Sequence, residues 1–395
     1  MTEFVTGNRL QLLCSGAEYF PALLSEIERA TTEINLETYI FEADPIGREV
    51  AAALGAAAKR GVAVYLTVDG FGAIKFGQTL APALREAGVE IQIYRPELRN
   101  WALRRHRLRR LHRKLSVFDR KVAFVGGINI VEDSSSPQLP PRFDYAVRAE
   151  GLIVEQIHAA MMHVWHLLGW ATLGIKRNVP PAAGVPLPTT TTIEKFASVG
   201  NVSAAFLIRD NLRHRRDIER AYLHALQNAR EEILIANAYF LPGSLFRRAL
   251  IHAAKRGVKV TLLLQGQVEH ALMHYATLAL YARLMRGGVH IVEYRRSFLH
   301  AKVAVVDRKW ATVGSSNLDP FSLLLSREAN LVVDNAEFAS ELYSSLNSAM
   351  KGGGVEIHPA DVRGRHWLTG LASELAYGIV RMMIGFSGYG RRRRN

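Results

Sequence analysis

The chain is written twice, and that duplication limits what it can fold into. HRKLSVFDRKVAFVGGIN spans residues 112–129, and HAKVAVVDRKWATVGSSN spans 300–317. Each copy reads H-x-K-x4-D, with a Gly at the fourteenth place after the His and an Asn at the seventeenth. The flanking blocks repeat as well. INLETYIF (34–41) answers ILIANAYFL (233–241), AAKRGVAVYLTVDG (57–70) answers AAKRGVKVTLLLQG (253–266), and LREAGVEIQIYRP (84–96) answers LMRGGVHIVEYRR (284–296). Such a chain builds two similar halves, and any site made of the repeated residues receives one set from each.

Each half reads strand, helix, strand, helix, strand, then an apolar hairpin, then a helix (VEQIHAAMMHVWHLLGW in the first). Apolar strands alternating with Ala-rich helices predict an α/β fold: two pseudo-symmetric α/β/α sandwich domains with the site at their interface. At 395 residues, 49% of them hydrophobic, the chain is long enough for two domains, each with its own core. The expected division is 1–173, a linker over 174–200, a second domain over 201–350 and a C-terminal segment over 351–395. The linker carries Pro180, Pro181, Pro186, Pro188 and four successive Thr.

VFDRKVAFVGG and VVDRKWATVGS read as hairpins, with Asp-Arg-Lys as the turn between two apolar runs. The His and Lys of each motif stand two apart on one strand, so both side chains leave the same face. The Asp is an odd number of places further on, beside the turn. His112 and Lys114 are therefore expected to enter the site with His300 and Lys302, while Asp119 and Asp307 complete the motif by holding it in shape. Asn129 and Asn317 follow the second strand, where an amide can donate to a phosphate oxygen. Two Lys and two Asn can neutralise a phosphodiester and its pentacoordinate transition state without a metal or cofactor. Two histidines can divide the labour, one attacking phosphorus, the other protonating the leaving alkoxide and then activating the incoming nucleophile.

The paired motifs resemble those of the phospholipase D superfamily, whose members bring two such motifs into one phosphodiester-cleaving site. The resemblance implies that His112 is the nucleophile and His300 the acid/base. It also implies an acid downstream of each motif that fixes a histidine tautomer, and the matching positions are Asp144 and Glu328. GSSNLDPFSLLLSREANLVV (314–333) and DYAVRAEG (144–151) are similar to the corresponding stretches of bacterial cardiolipin synthases, over roughly residues 30–345. Lacking N-terminal transmembrane segments, the chain resembles their shorter, peripheral branch. That implies phosphatidyl transfer from one phosphatidylglycerol to the hydroxyl of another, with phosphatidylethanolamine as an alternative donor, on the cytoplasmic face of the inner cell membrane. A phospholipase D that hands the phosphatidyl group to water or a small alcohol is the alternative within the enzyme class. A nuclease or nucleic-acid binder is the alternative from another class.

Charge and composition bear on that choice. The formal net charge is +14, which fits an anionic partner without naming it. The offset between repeats is 200 at Tyr94 and Tyr294 but 188 at His112 and His300, so the first half carries twelve extra residues ahead of its motif. They fall in RPELRNWALRRHRLRRL (95–111), where Trp101 among seven Arg reads as a contact to an anionic surface. With only Trp101 interleaved, a base-stacking platform is not expected, and no nucleic-acid partner is. The apolar C-terminus ends in four arginines and reads as a membrane-surface anchor, the other possibility being a helix packed on the domain. Cys14 is the single cysteine, which rules out an intrachain disulfide. No signal peptide or run of about 18 uncharged apolar residues is visible. His270 with His274 and His163 with His166 read as helix-face histidines, and DGFGA (69–73) as a loop. Tyr39 and Tyr239 end matching strands and are candidates to line the crevice.

Overall fold

The computed structural model describes residues 3–96, 109–133, 140–173, 198–210, 213–268, 271–319, 326–363 and 367–386. In the first half the strands are β1 (Val5–Cys14), β2 (Glu33–Thr38), β3 (Ala63–Asp69), β4 (Glu90–Tyr94), β5 (Arg110–Leu111), β6 (Leu115–Phe118), β7 (Val122–Gly126) and β8 (Tyr145–Glu150). Its helices are α1 (Ser15–Arg29), α2 (Pro45–Lys59), α3 (Phe76–Thr79), α4 (Ala81–Glu86) and α5 (Ile153–Leu173). The second half answers with β9 (Val202–Arg209), β10 (Glu232–Asn237), β11 (Lys259–Gln265), β12 (His290–Tyr294), β13 (Lys302–Val306), β14 (Trp310–Gly314), β15 (Ser326–Asp334) and β16 (Gly354–Glu356). Its helices are α6 (Asp217–Asn228), α7 (Ser244–Lys255), α8 (Ala271–Arg286), α9 (Ala336–Gly353), α10 (Pro359–Arg363) and α11 (Trp367–Phe386).

All the strands join one sheet, in the order β16-β12-β11-β10-β13-β14-β15-β9-β1-β8-β7-β6-β2-β3-β4, with β5 pairing β15 off that path. The order is palindromic about the antiparallel β1–β9 seam, so the duplication becomes a pseudo-two-fold relation. Within each half β2–β3–β4 and β10–β11–β12 run parallel, while the motif strands β6 and β13 run antiparallel to them. Strands bracketed on both faces are continuously apolar, as LLL in β11 and VAVV in β13 are.

The packing corrects the expectation of one core per half. One cluster holds α1, α2 and the outer strands of the first half, and a second holds α6, α7, α8 and those of the second. A third draws on both halves at once, from Leu12, Val117 and Ile157 to Val303, Leu331 and Leu342. Helix α5 packs against β9 and α9 against β1, so each half covers the first strand of the other. The second half also runs past residue 350: α9 continues to Gly353, and β16 adds an edge strand beside β12. The linker expected at 174–200 lies outside the described residues up to 197.

Helix starts follow local chemistry. Asp44 precedes Pro45 and its carboxylate accepts from Gly47 N at 2.8 Å, and Asn335 likewise accepts from Phe338 N at 2.9 Å. The C-terminal segment meets the reading of a helix packed on the domain. Helix α11 packs on α8 and buries Ser373, Ala376 and Val380, while Leu375, Ile379 and Met382 are exposed. Residues 387–395, with the arginines, lie outside the described residues. No described helix is long and apolar enough to cross a membrane.

Candidate active site

The sheet places the motifs. In each half the motif strand is antiparallel to the parallel set, so His112 and His300 emerge where β2 and β10 end. Ligand sites in open α/β sheets form at these carboxyl ends. Two contacts then cross between the halves. β5, just ahead of His112, pairs with β15 through Ser326↔Arg110 and Arg327↔Leu111, and His112 N donates to Arg327 O at 3.0 Å. On the other side Phe143 bridges to Leu299, and His300 N donates to Phe143 O at 2.8 Å.

This crossing decides which acid meets which histidine. Glu328 lies beside His112, with Nδ1 to Oε2 at 3.0 Å. Asp144 lies beside His300, with Nδ1 to Oδ2 at 2.6 Å. Each acid follows the motif of its own half in sequence but serves the histidine of the other. Both carboxylates are buried, whereas the His112 and His300 side chains keep 16% and 14% exposure. A carboxylate on Nδ1 fixes the proton there and leaves Nε2 with its lone pair outward.

Lys114 and Lys302 are buried beside them. Lys114 Nζ donates to His112 O at 2.7 Å, and Lys302 Nζ to His300 O, with His300 Nδ1 and Asp144 Oδ2 at 2.8 and 3.4 Å. Burial depresses His112, Lys114 and His300. It pushes the Lys114 ammonium down to about 7, partly offset by Glu328. It holds His112 below its usual value against the opposing pull of Glu328, and His300 likewise, with Lys302 adding to the effect. Burial alone would raise Asp144, yet Lys302 and His300 hold it below the ordinary carboxylate range. The resting site therefore favours neutral imidazoles and keeps a reserve of positive charge that an anion would reinforce.

Asn129 Oδ1 accepts from Ile40 N at 3.2 Å, leaving its NH2 to other partners. Asn317 is buried, and its Oδ1 has no partner among the described residues. Asp119 and Asp307 stand at the far ends of their hairpins and do not meet the histidines. They occupy left-handed turns (φ 49° and 51°), each followed by an Arg of the same hand. Asp119 accepts from the amides of Thr31, Thr32 and Glu33 and both Thr hydroxyls, and Asp307 from the amides of Arg230, Glu231 and Glu232. Burial would raise Asp119, but those donors hold it well below its ordinary value. The motif aspartates clamp the turn.

Several contributors escaped the sequence reading. Ser315 Oγ donates to Glu328 Oε2 at 2.5 Å, bracing the acid that braces His112. The matching Gly127 has no room for a side chain, because a Cβ there would stand 2.4 Å from Asp144 Oδ2. Asp69 Oδ2 accepts from Leu111 N at 2.8 Å, and Gln265 Oε1 from Leu299 N at 3.3 Å, so each half ties down the residue ahead of its histidine. Only their matching place, a polar residue closing an apolar strand before Gly, signals this. Arg113, between His112 and Lys114, is buried in a two-bond pair with Glu37 at 2.8 and 2.9 Å. Removing one partner of such a pair costs about 3–5 kcal/mol.

Tyr39 stands edge-on to His112 with ring centroids 4.9 Å apart. Tyr239 is not its counterpart. The bridges Phe41↔Ile130 and Phe240↔Leu318 set the register so that Tyr39 corresponds to Ala238 and Tyr239 to Ile40. Tyr239 instead lines a small cavity with Gln265, His274 and Tyr281. Of the Arg-rich stretch 95–111, residues 97–108, Trp101 among them, lie outside the described residues, and His270 lies outside them too. His163 and His166 are exposed on α5, and DGFGA forms a loop that Asp69 caps through the amides of Phe71 and Gly72.

Comparison with known proteins shows the family. Residues 23–139 and 222–350 match the family described as cardiolipin synthase, PLD-like domain, once in each half. Cardiolipin synthase B of Escherichia coli is 38% identical over 97% of this chain and 90% of its own length. The major cardiolipin synthase of Bacillus subtilis is 30% identical over 87% of this chain and 69% of its own. Among solved structures, a phosphatidylserine synthase of Haemophilus influenzae superposes with a TM-score of 0.69 at 13% identity, over 95% of this chain and 93% of that one, which speaks to the fold. The chain belongs to the cardiolipin synthase family with phospholipase D-like domains.

Proposed function

We propose that the chain is a phosphatidyltransferase that makes cardiolipin from two molecules of phosphatidylglycerol, through a phosphohistidine intermediate. One observation carries the reading: a single site holds two histidines, each held at Nδ1 by an acid from the opposite half. His112 Nε2 attacks the donor phosphorus. The bond from phosphorus to the glycerol oxygen breaks, and His300 delivers a proton to the leaving glycerol. In the second half-reaction His300 takes the proton from a glycerol hydroxyl of the acceptor lipid. That oxygen attacks phosphorus, the P–N bond breaks, and His112 is restored. Lys114, Lys302, Asn129 and Asn317 hold the phosphate oxygens, whose charge raises the depressed basic groups and equips His300 to act as an acid.

The likeness to named cardiolipin synthases over 97% of the chain supports this choice of lipid over nucleic acid. The same reading puts the protein peripherally on an anionic membrane, at its cytoplasmic face. The α11 ridge of Leu375, Ile379 and Met382 lies in the interface, and the basic residues add electrostatic attraction. Thin-layer chromatography of products from labelled phosphatidylglycerol tests the activity. Cardiolipin with released glycerol is expected. Phosphatidic acid alone would make the chain a hydrolase, and no lipid product would remove it from lipid chemistry.

A further inference from the structure

Exposed large apolar side chains are few among the described residues, and their placement is uneven. Phe71 and Ile74 lie in the loop that leaves β3, and Val268 and Leu272 lie around the loop that leaves β11. Leu245 lies in the first turn of α7, after β10. These strands are parallel within each half, and their carboxyl ends form the edge from which His112 and His300 emerge. The apolar residues therefore stand on the face that carries the crevice, contributed by corresponding loops of both halves. Phe71, Ile74 and Val268 are 50%, 56% and 54% exposed. Single exposed apolar side chains are ordinary on a protein surface, but a group of them around an opening marks a contact surface.

Their neighbours say what kind. The Arg110 guanidinium lies 4.7 Å from the Phe71 ring centroid, and Arg142 lies 6.0 Å from that of Phe298, two residues before His300. Arg296, exposed beyond β12, stands on the same edge. Aromatic and aliphatic side chains alternating with arginines suit the boundary between anionic headgroups and acyl chains. A nucleic acid would call for the arginines but not for Ile74, Val268 and Leu272.

We propose that Phe71 and Ile74 from one half, with Leu245, Val268 and Leu272 from the other, insert into the anionic leaflet and seat the crevice on the membrane. A donor lipid then reaches His112 with its acyl chains still in the bilayer. This surface is distinct from the α11 ridge, although α11 packs on α8, which begins beside Val268. Asp69 gives the first loop a fixed shape, since its buried carboxylate holds the Phe71 and Gly72 amides on one side and Leu111, next to His112, on the other. Membrane contact and the catalytic strand thus share one anchor.

The inference rests on the lipid-transferase reading, and the test separates the two. Full-length Phe71→Ser/Ile74→Ser and Val268→Ser/Leu272→Ser variants are compared with wild type on phosphatidylglycerol vesicles and on monomeric dihexanoyl-phosphatidylglycerol. Losing two membrane-inserted apolar side chains should weaken vesicle binding at high salt by about tenfold or more. Turnover on vesicles should fall in step, while turnover of the monomeric lipid stays within about twofold of wild type. Unchanged vesicle binding overturns the proposal. So does a wild-type dimer that these variants split, since the surface would then be a contact between two copies. Phe71→Trp and Val268→Trp give a readout that survives any loss of stability in the Ser variants. Their fluorescence should be quenched by acyl-brominated lipids beyond the wild-type background, and unquenched tryptophans on vesicle-bound protein overturn the proposal. If wild type makes cardiolipin from neither form of lipid, the transferase reading fails while the quenching result still stands.

Discussion

His112 and His300 carry the same motif, and what distinguishes them is what touches their Nδ1 atoms. Glu328, braced by Ser315, holds His112, and Asp144, beside Lys302, holds His300. Glu328→Gln should slow formation of the phosphohistidine by about a hundred- to ten-thousand-fold, as loss of an orienting carboxylate does elsewhere. Asp144→Asn should instead slow leaving-group departure and transfer to the acceptor, seen in single-turnover experiments as a lingering adduct. Reversal of the two phenotypes would mean that His112 and His300 exchange the roles of nucleophile and acid/base. The pH dependence follows from the same groups. Burial depresses His112, so the attacking neutral form persists below the ordinary histidine value of about 6.5, and the acid limb of kcat/KM should lie there. Lys114, pushed down to about 7, loses its charge as pH rises, so kcat/KM should fall through that range. A bound phosphodiester raises the lysine, so the alkaline limb of kcat should lie higher. Identical alkaline limbs for the two parameters would exclude Lys114 from contact with the phosphate.

At the scale of the elements, the motif hairpins are the most legible part of the sequence. Asp-Arg-Lys between two apolar runs predicts a tight turn, and left-handed conformations at Asp119, Arg120, Asp307 and Arg308 meet it. Non-glycine residues hold that conformation at a cost, which the clamp around each Asp offsets. Asp119→Asn should therefore lower stability by about 1–3 kcal/mol through lost or weakened charge-assisted hydrogen bonds at the turn, read as a drop in Tm. The kcat of the folded fraction should stay close to wild type, and a large loss of kcat at unchanged Tm would place Asp119 in the chemistry instead. The crossing of the acids was not legible. Asp144 and Glu328 each follow their own motif in sequence, and only the β5–β15 and Phe143–Leu299 contacts send them to the other side. Tyr239 misled for a different reason: matching tyrosines suggested an offset of one residue too many, and paired bridges rather than side-chain identity set register.

For the whole molecule, the duplication foretold two halves and an interfacial site but not how deeply the halves are joined. A sheet running through the β1–β9 seam and a core drawn from both sides leave neither half with a complete site, since each supplies the acid for the other's histidine. No local pattern encodes such a seam, because β1 and β9 read as ordinary strands until paired. The central claim is that this joined molecule runs one reaction with His112 as its nucleophile. Rapid denaturing quench of the full-length protein with labelled phosphatidylglycerol, followed by peptide mass spectrometry, tests it most directly. The account predicts a phosphatidyl adduct on His112, accumulating in His300→Ala and absent in His112→Ala. An adduct found on His300 in the wild-type protein, with none on His112 while cardiolipin forms, would contradict it.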